Sequence, residues 1–126
     1  MLTDYKRIYI IGNGGSYANA AHICNDFLSV GLKAHTMDPA TLTAFSNDYG
    51  YEHAFSKWLS IVAERRDLLI ALSGSGKSPN ILRAVRMAEM IGMDAFTLFG
   101  APHLEMQAAE EQQLKWGHEQ MLKLRK

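Results

Sequence analysis

Two short runs are apolar at every position, Ile8-Tyr9-Ile10-Ile11 and Leu68-Leu69-Ile70-Ala71-Leu72. Continuous rather than alternating hydrophobicity, stopped by Gly12 and by Ser73, predicts strands buried on both faces, as in a parallel sheet covered by helices. A helical stretch follows each run. Residues 17–30 set Ala18, Ala21, Cys24 or Asn25, and Leu28 at helical spacing. Residues 79–91 set Ile81, Leu82, Val85, Ala88 and Met90 on one broad face, with Gly92 as a C-terminal cap. Residues 51–63 carry Ala54, Phe55, Trp58, Leu59 and Val62 as an i, i+3, i+4 stripe. Residues 94–99 read as a further strand and 32–36 as a weaker one. From about His103 onward Glu, Gln, Leu, Lys and Met dominate, which predicts a long terminal helix interrupted in composition only by Gly117. Strand, turn and helix in repetition predict a single α/β domain over residues 1–126, with a mostly parallel sheet of about four strands. A sheet this small beside a long exposed helix calls for a partner surface.

Composition narrows the function classes. Apolar residues make up 48% of the chain and charged residues 21%, a globular mixture that excludes disorder. Thirteen Lys and Arg offset thirteen Asp and Glu, and a nucleic-acid binder of this length should carry a basic surplus. No apolar run approaches the roughly 20 residues needed to span a bilayer. The first seven residues lack a signal-peptide pattern. Cys24 is the only cysteine, so no intrachain disulfide can form. The expectation is a cytoplasmic protein that binds neither nucleic acid nor membrane.

In doubly wound sheets ligands bind where strands end and helices begin, and the most unusual composition lies at two such points. The first is Gly12-Asn13-Gly14-Gly15-Ser16. Glycines let the backbone approach a ligand closely, and the following helix aims free N–H groups and its positive dipole end there. It is not a dinucleotide fingerprint, because the third glycine of that pattern, counted from Gly12, is Tyr17. The second is Ser73-Gly74-Ser75-Gly76-Lys77-Ser78-Pro79. Its three hydroxyls and helix start suit a phosphate dianion, with Ser78 as N-cap and Pro79 in the first turn. Read from Ala71 to Ser78, the same stretch satisfies a relaxed P-loop, with Lys77 on terminal phosphates and Ser78 on magnesium. A P-loop nucleotide-binding enzyme is therefore one alternative. Against it stand Ala71 inside a strand, proline directly after Ser78, and no Asp at the end of the 94–99 strand.

Taken together, these turns, His22, the block Leu42-Thr43-Ala44-Phe45-Ser46-Asn47-Asp48-Tyr49-Gly50-Tyr51, and Asn80 after Pro79 resemble the bacterial phosphoheptose isomerases. Those are sugar isomerase (SIS) domain enzymes that interconvert sedoheptulose 7-phosphate and D-glycero-D-manno-heptose 7-phosphate. The resemblance runs in order over about residues 8–100. It implies an SIS-type three-layer α/β/α sandwich, a sugar-phosphate substrate isomerised through an enediol, and a homo-oligomer with sites between subunits. By motif match, Asn13, Gly14, Ser16, Asn47 and Asp48 belong to the sugar site, and Ser73, Gly74, Ser75 and Ser78 to the phosphate loop. The family's zinc ligands fall on a His-x-x-x-Glu pair and a Gln-x7-His pair. Here those positions read His22 with Asp26 and Glu110 with His118, Glu110 also bordering the substrate. In the family the Glu and the His transfer protons, which implies Asp26 and His118 as the catalytic pair.

The chemistry of these residue types is consistent with that assignment. His22 and Asp26, four apart on a helix, project from one face. Two nitrogens and two carboxylates suit zinc or another transition ion. Isomerisation needs a base for the proton beside a carbonyl and an acid for the oxygens. The departures are equally specific. Asp26 is one methylene shorter than the family's Glu, and Glu110 carries a charge where the family has Gln. Glu111, seven before His118, lies closer to the helix face of His118 than Glu110 does. Gly74 and Lys77 replace Thr and Asn. The family's N-terminal helical region and a longer segment before the last helix have no counterpart, so dimer and tetramer are both open. These departures make a non-catalytic SIS sugar-phosphate-binding module the second alternative. His35, His53 and His103 match no family site and read as surface residues.

Overall fold

The computed structural model describes residues 1–99 and 106–124. Among them, β1 (Ile8–Ile11), β2 (Ala34–His35), β3 (Leu68–Ser73) and β4 (Asp94–Phe99) form one parallel sheet in the order β2-β1-β3-β4. The helices are α1 (Gly15–Ser29), α2 (Pro39–Tyr49), α3 (Ala54–Val62), α4 (Pro79–Ile91) and α5 (Met106–Leu124).

Strand side chains alternate and so divide the core into two layers. Ile8 and Ile10 of β1 and Leu68, Ile70 and Leu72 of β3 pack on Ala20, Ile23 and Phe27 of α1, with Trp116 and Leu124 of α5 alongside. Tyr9, Ile11, Leu69 and Ala71 face the other way, onto α3 and α4. The result is the expected three-layer α/β/α sandwich. Every residue of β1 and β3 is buried, which is why both runs are apolar throughout. Each fully buried Ile or Leu contributes roughly 2 kcal/mol.

Several elements depart from the pattern-based expectation. The buried face of α1 is Ala20, Ile23, Cys24 and Phe27, while Ala18, Ala21, Asn25 and Leu28 point outward, Leu28 at 53% exposure. Alanine fits either face, so the bulk of Ile23 and Phe27 decides the rotation. In α4, Ile81, Ala84 and Ala88 are buried and Leu82 and Met90 are exposed. The weaker strand shortens to the two residues of β2, and residues 51–63 begin with a 3-10 turn, Tyr51–His53, before α3. Nothing in the hydrophobic pattern predicts α2. It has no buried residue, and Asp38 starts it by accepting from the Thr41 N–H at 3.1 Å and the Thr41 hydroxyl at 2.6 Å, with Pro39 in the first turn.

The expected start of the terminal helix near His103 lies outside the described residues. Gly117 does not break α5. It is the point where α5 crosses α1, and a Cβ there would stand 2.5 Å from Ile23 Cγ1. Gly92 caps α4 in the left-handed conformation, as expected. β4 forms an exposed edge, tied down by the Tyr5 hydroxyl donating to Asp94 at 2.7 Å and by Phe96 stacking on Trp116 at 5.1 Å. No helix among the described residues is long and apolar enough to cross a membrane.

Candidate functional site

The register that pairs Ile11 with Ala71 brings the turn after β1 level with the turn after β3. α1 leaves on one face of the sheet and α4 on the other, so a crevice opens between the two strand ends, the usual ligand position in such sheets. A cavity of about 60 Å³ lies there, lined by Asn13 and Ser16 from the first turn and Ser73, Gly74, Ser75 and Ser78 from the second. That is about two waters' share of liquid volume, room for a phosphoryl group and too little for a sugar.

Backbone donors shape the second turn. Ser73 Oγ accepts from the Gly76 N–H at 3.0 Å and Ser75 Oγ from the Lys77 N–H at 3.1 Å. Both hydroxyl protons stay available to an anion. Ser78 occupies the N-cap position of α4, but its hydroxyl makes no cap bond. The side chain that serves this end of α4 is Asn80, whose Oδ1 accepts from the Ile81 N–H at 3.0 Å. This corrects the capping role expected of Ser78 and leaves its hydroxyl to the cavity.

Asn13 and Asn80 exchange reciprocal amide bonds, both 2.8 Å, and the Tyr51 hydroxyl donates to Asn13 Oδ1 at 2.5 Å. Three segments distant in sequence are thus locked at the cavity. The sequence assigns no role to Asn80 or Tyr51; the one available signal is an asparagine within the first strand-end turn and another just past the second. Gly14 is the exposed N-cap of α1 with φ 55°, a conformation that glycine adopts at little cost. The Tyr17 hydroxyl fixes the same helix start by donating to the Met37 carbonyl at 2.6 Å, and burial raises its pKa. Asn47 and Asp48 sit exposed at the end of α2, with Asn47 Nδ2 3.3 Å from Asp48 Oδ1. Neither lines the cavity.

Of the four implied zinc ligands, Glu110 lies at a different level from the other three. His22 and Asp26 meet on α1 at 3.5 Å, with side-chain exposures of 64% and 14%. Asp26 is ten residues beyond Ser16, about 15 Å along the helix. The Glu110 carboxylate instead rests on Gly15, so close that a Cβ on Gly15 would overlap it. Glu111 and His118 are exposed, His118 about 12 Å beyond Glu110 along α5. Asn19 Nδ2 pins this end of α5 by donating to the Glu110 carbonyl at 2.8 Å and to Gln113 Oε1 at 3.0 Å. Gln113 Nε2 is buried with no partner among the described residues. No three His, Cys, Asp or Glu side chains among the described residues converge as a metal site requires. One chain by itself therefore does not assemble His22, Asp26, Glu110 and His118 into a single centre.

His35 is exposed and stacks on Tyr9 at 5.5 Å, and His53 pairs with Glu52 at 3.3 Å on the surface. His103 lies outside the described residues. For the P-loop alternative, Ala71 falls inside β3, Pro79 opens α4 directly after Ser78, and Lys77 is exposed.

Comparison with known proteins gives a consistent picture. The family model described as SIS domain matches residues 1–100. A phosphoheptose isomerase of Burkholderia pseudomallei (strain 1710b) is 46% identical over 95 residues, covering 69% of this chain and 48% of the relative. One from Aneurinibacillus thermoaerophilus is 44% identical over 104 residues, covering 76% and 52%. The chain thus spans about half the length of the curated relatives it matches. Among solved structures, the phosphoheptose isomerase from Neisseria gonorrhoeae superposes with a TM-score of 0.89 at 29% identity, over 98% of this chain and 77% of that one. One from Francisella tularensis gives 0.86 at 26% identity, over 94% and 74%.

Proposed function

The chain belongs to the SIS domain family, and from that premise we propose that it is an aldose–ketose isomerase converting sedoheptulose 7-phosphate to D-glycero-D-manno-heptose 7-phosphate. The observation that carries this reading is the hydroxyl-lined cavity of about 60 Å³ between the ends of β1 and β3, in a chain 46% identical over 95 residues to a phosphoheptose isomerase.

In this reading Ser73, Ser75 and Ser78 donate to the phosphate, and the N-terminus of α4 favours its charge. Asn13, held by Asn80 and Tyr51, meets the carbon chain. The open-chain ketose loses a proton from C1 to a base, giving a 1,2-enediol. A proton returned to C2, with the O1 proton lost and O2 protonated, leaves an aldehyde at C1, and no atom is gained or lost overall. We assign Asp26 as the base and His118 as the acid serving the oxygens. The bonds from phosphorus to C1 span roughly 10 Å when extended. That is shorter than the roughly 15 Å between Ser16 and Asp26 along α1, so the Asp26 assigned to a sugar anchored in this cavity belongs to a neighbouring copy of the chain. His22 and Asp26 supply two donors for zinc, and a structural or catalytic site needs three or four ligands. The remaining donors come from another copy, so the proposal includes a homo-oligomer, dimer or tetramer, with Glu110, His118, Asn47 and Asp48 of neighbouring subunits near the seam. A cytoplasmic location accords with the free, buried Cys24.

The test is proton NMR of sedoheptulose 7-phosphate in deuterated water with native protein and with Asp26→Asn. Deuterium at C1, or an aldose heptose signal, is expected with the native protein alone. Phosphorus line broadening without deuterium uptake would instead identify a non-catalytic binding module.

A further inference from the structure

We infer that Tyr51 is a positioning residue. By filling the last lone pair of the Asn13 side-chain oxygen it makes Asn13 a donor-only contact, so the cavity favours a phosphoryl group whose enclosed oxygens carry no proton. On the sugar-phosphate reading of the cavity, on which this inference rests, the selected species is the fully deprotonated monoester.

The polarity of the lock starts from a backbone group. The Ile81 N–H can only donate, and Asn80 Oδ1 accepts it at 3.0 Å, which fixes which end of the Asn80 amide is oxygen. The two reciprocal 2.8 Å bonds then orient Asn13 in turn: its Oδ1 accepts from Asn80 Nδ2, and its Nδ2 donates to Asn80 Oδ1. One lone pair and one N–H of the Asn13 amide remain. The Tyr51 hydroxyl donates into that lone pair at 2.5 Å. The second Nδ2 hydrogen has no partner among the described residues, and it is all that this amide can offer the cavity it lines. Ser73 and Ser75 are biased the same way, because each Oγ already accepts a backbone N–H. Packing does not account for Tyr51. Its ring belongs to neither core layer and is 51% exposed, so the hydroxyl bond is its tie to the cavity. A monoester dianion presents acceptors at each enclosed oxygen. A monoanion brings a P–OH that Asn13 cannot accept, and a donor left unmatched lowers affinity by about tenfold.

The experiment titrates native protein and Tyr51→Phe with sulfate and with inorganic phosphate by calorimetry, at a single pH of about 5, below the second phosphate ionisation near 6. Both probes are tetrahedral anions, and one pH holds every protein group in one state. Sulfate carries no proton, whereas phosphate then carries two. One P–OH can face the mouth, where the carbon chain of an ester leaves, but the second lies inside. Native protein should prefer sulfate. In Tyr51→Phe the Asn13 oxygen has an open lone pair for that P–OH, so the preference should shrink by about fivefold to tenfold. A merely structural role would weaken both anions alike and leave the ratio unchanged. An unchanged ratio in a variant that circular dichroism shows to be folded overturns this inference alone. Proton–nitrogen NMR of the Asn13 side-chain amide in native protein decides the matter if the variant does not fold. Sulfate should shift one of its two hydrogens and leave the one bonded to Asn80 in place, and equal movement of both, or of neither, overturns the inference. A native protein that binds neither these anions nor sedoheptulose 7-phosphate overturns the sugar-phosphate reading with it.

Discussion

Replacing Gly117 by alanine opposes two effects of known sign. Glycine inside a helix is about 1 kcal/mol worse than alanine, so propensity alone predicts a more stable protein. The crossing of α5 over α1 predicts the reverse. The added Cβ would lie 2.5 Å from Ile23 Cγ1, with Cδ1 at 3.1 Å and Cγ2 at 3.3 Å, where apolar carbons prefer roughly 3.5–4.0 Å. Ile23 is fully buried against β1 and β3, and β-branching makes it stiff at χ1. The neighbour therefore cannot swing aside, and α5 must lift. Overpacking costs about 1–3 kcal/mol, and a 2.5 Å contact with a stiff neighbour belongs in the upper part of that range, about 2–3 kcal/mol. The net expectation is a loss of about 1–2 kcal/mol, or about 4–8 °C in melting temperature for a domain of this size. Urea and thermal unfolding followed by circular dichroism measure it. Ile23→Ala in the same background should cost less than it does alone, by about 1 kcal/mol, because it removes the clashing atom. A Gly117→Ala protein as stable as the parent, or more so, would refute the close crossing.

Three further outcomes follow from named contacts. Asn80→Ala leaves Asn13 bonded to Tyr51 alone and should cost about 2 kcal/mol of stability in urea melts, together with sugar-phosphate affinity; a variant that binds normally would sink the role given to this amide pair. Ser73→Ala removes the acceptor that holds the Gly76 N–H at 3.0 Å, and phosphate affinity by phosphorus NMR should fall about tenfold, with no change counting against the cavity. The Thr41 hydroxyl and N–H hold the Asp38 carboxyl below the ordinary carboxylate range. A depressed folded value means the charge stabilises α2 above about pH 4 and ceases to do so as pH falls through that lowered value. Asp38→Asn should flatten this acid limb of a pH-dependent melt, and equal slopes in both proteins would contradict the assignment.

The central strands were legible because their environment is simple. Ile8–Ile11 and Leu68–Ser73 are buried on both faces, and only apolar residues fill such positions. The placement of the serine-rich turn at the strand end was legible for a related reason, since β3 stops where the apolar run gives way to hydroxyls and glycines. α2 was not, because it buries no residue and leaves only Asp38-Pro39 as a trace. The rotation of α1 was misread at Ala18 and Ala21, whose small side chains carry little information about which way a helix faces. The Asn13–Asn80–Tyr51 lock and the seat of Glu110 on Gly15 depend on which turns the fold brings to one level. No spacing along a single helix encodes that height, so the sequence could place Glu110 on α5 but not against the start of α1.

The two asparagines that lock the cavity are 67 residues apart. Between them the chain must complete α1, β2, α2 and α3 and cross back over β1 before β3 can add to the sheet. Closing so long a loop is slow relative to forming any one helix. A partly folded chain can thus possess all its helices and still have nothing that grips a phosphate. The ligand then recognises only molecules whose topology is finished and holds them in that state. At a hundredfold excess over its dissociation constant it adds about 2.7 kcal/mol to the folded form. Under the proposed sugar-phosphate reading, the ligand would in this way stabilise the finished fold as well as occupy its site.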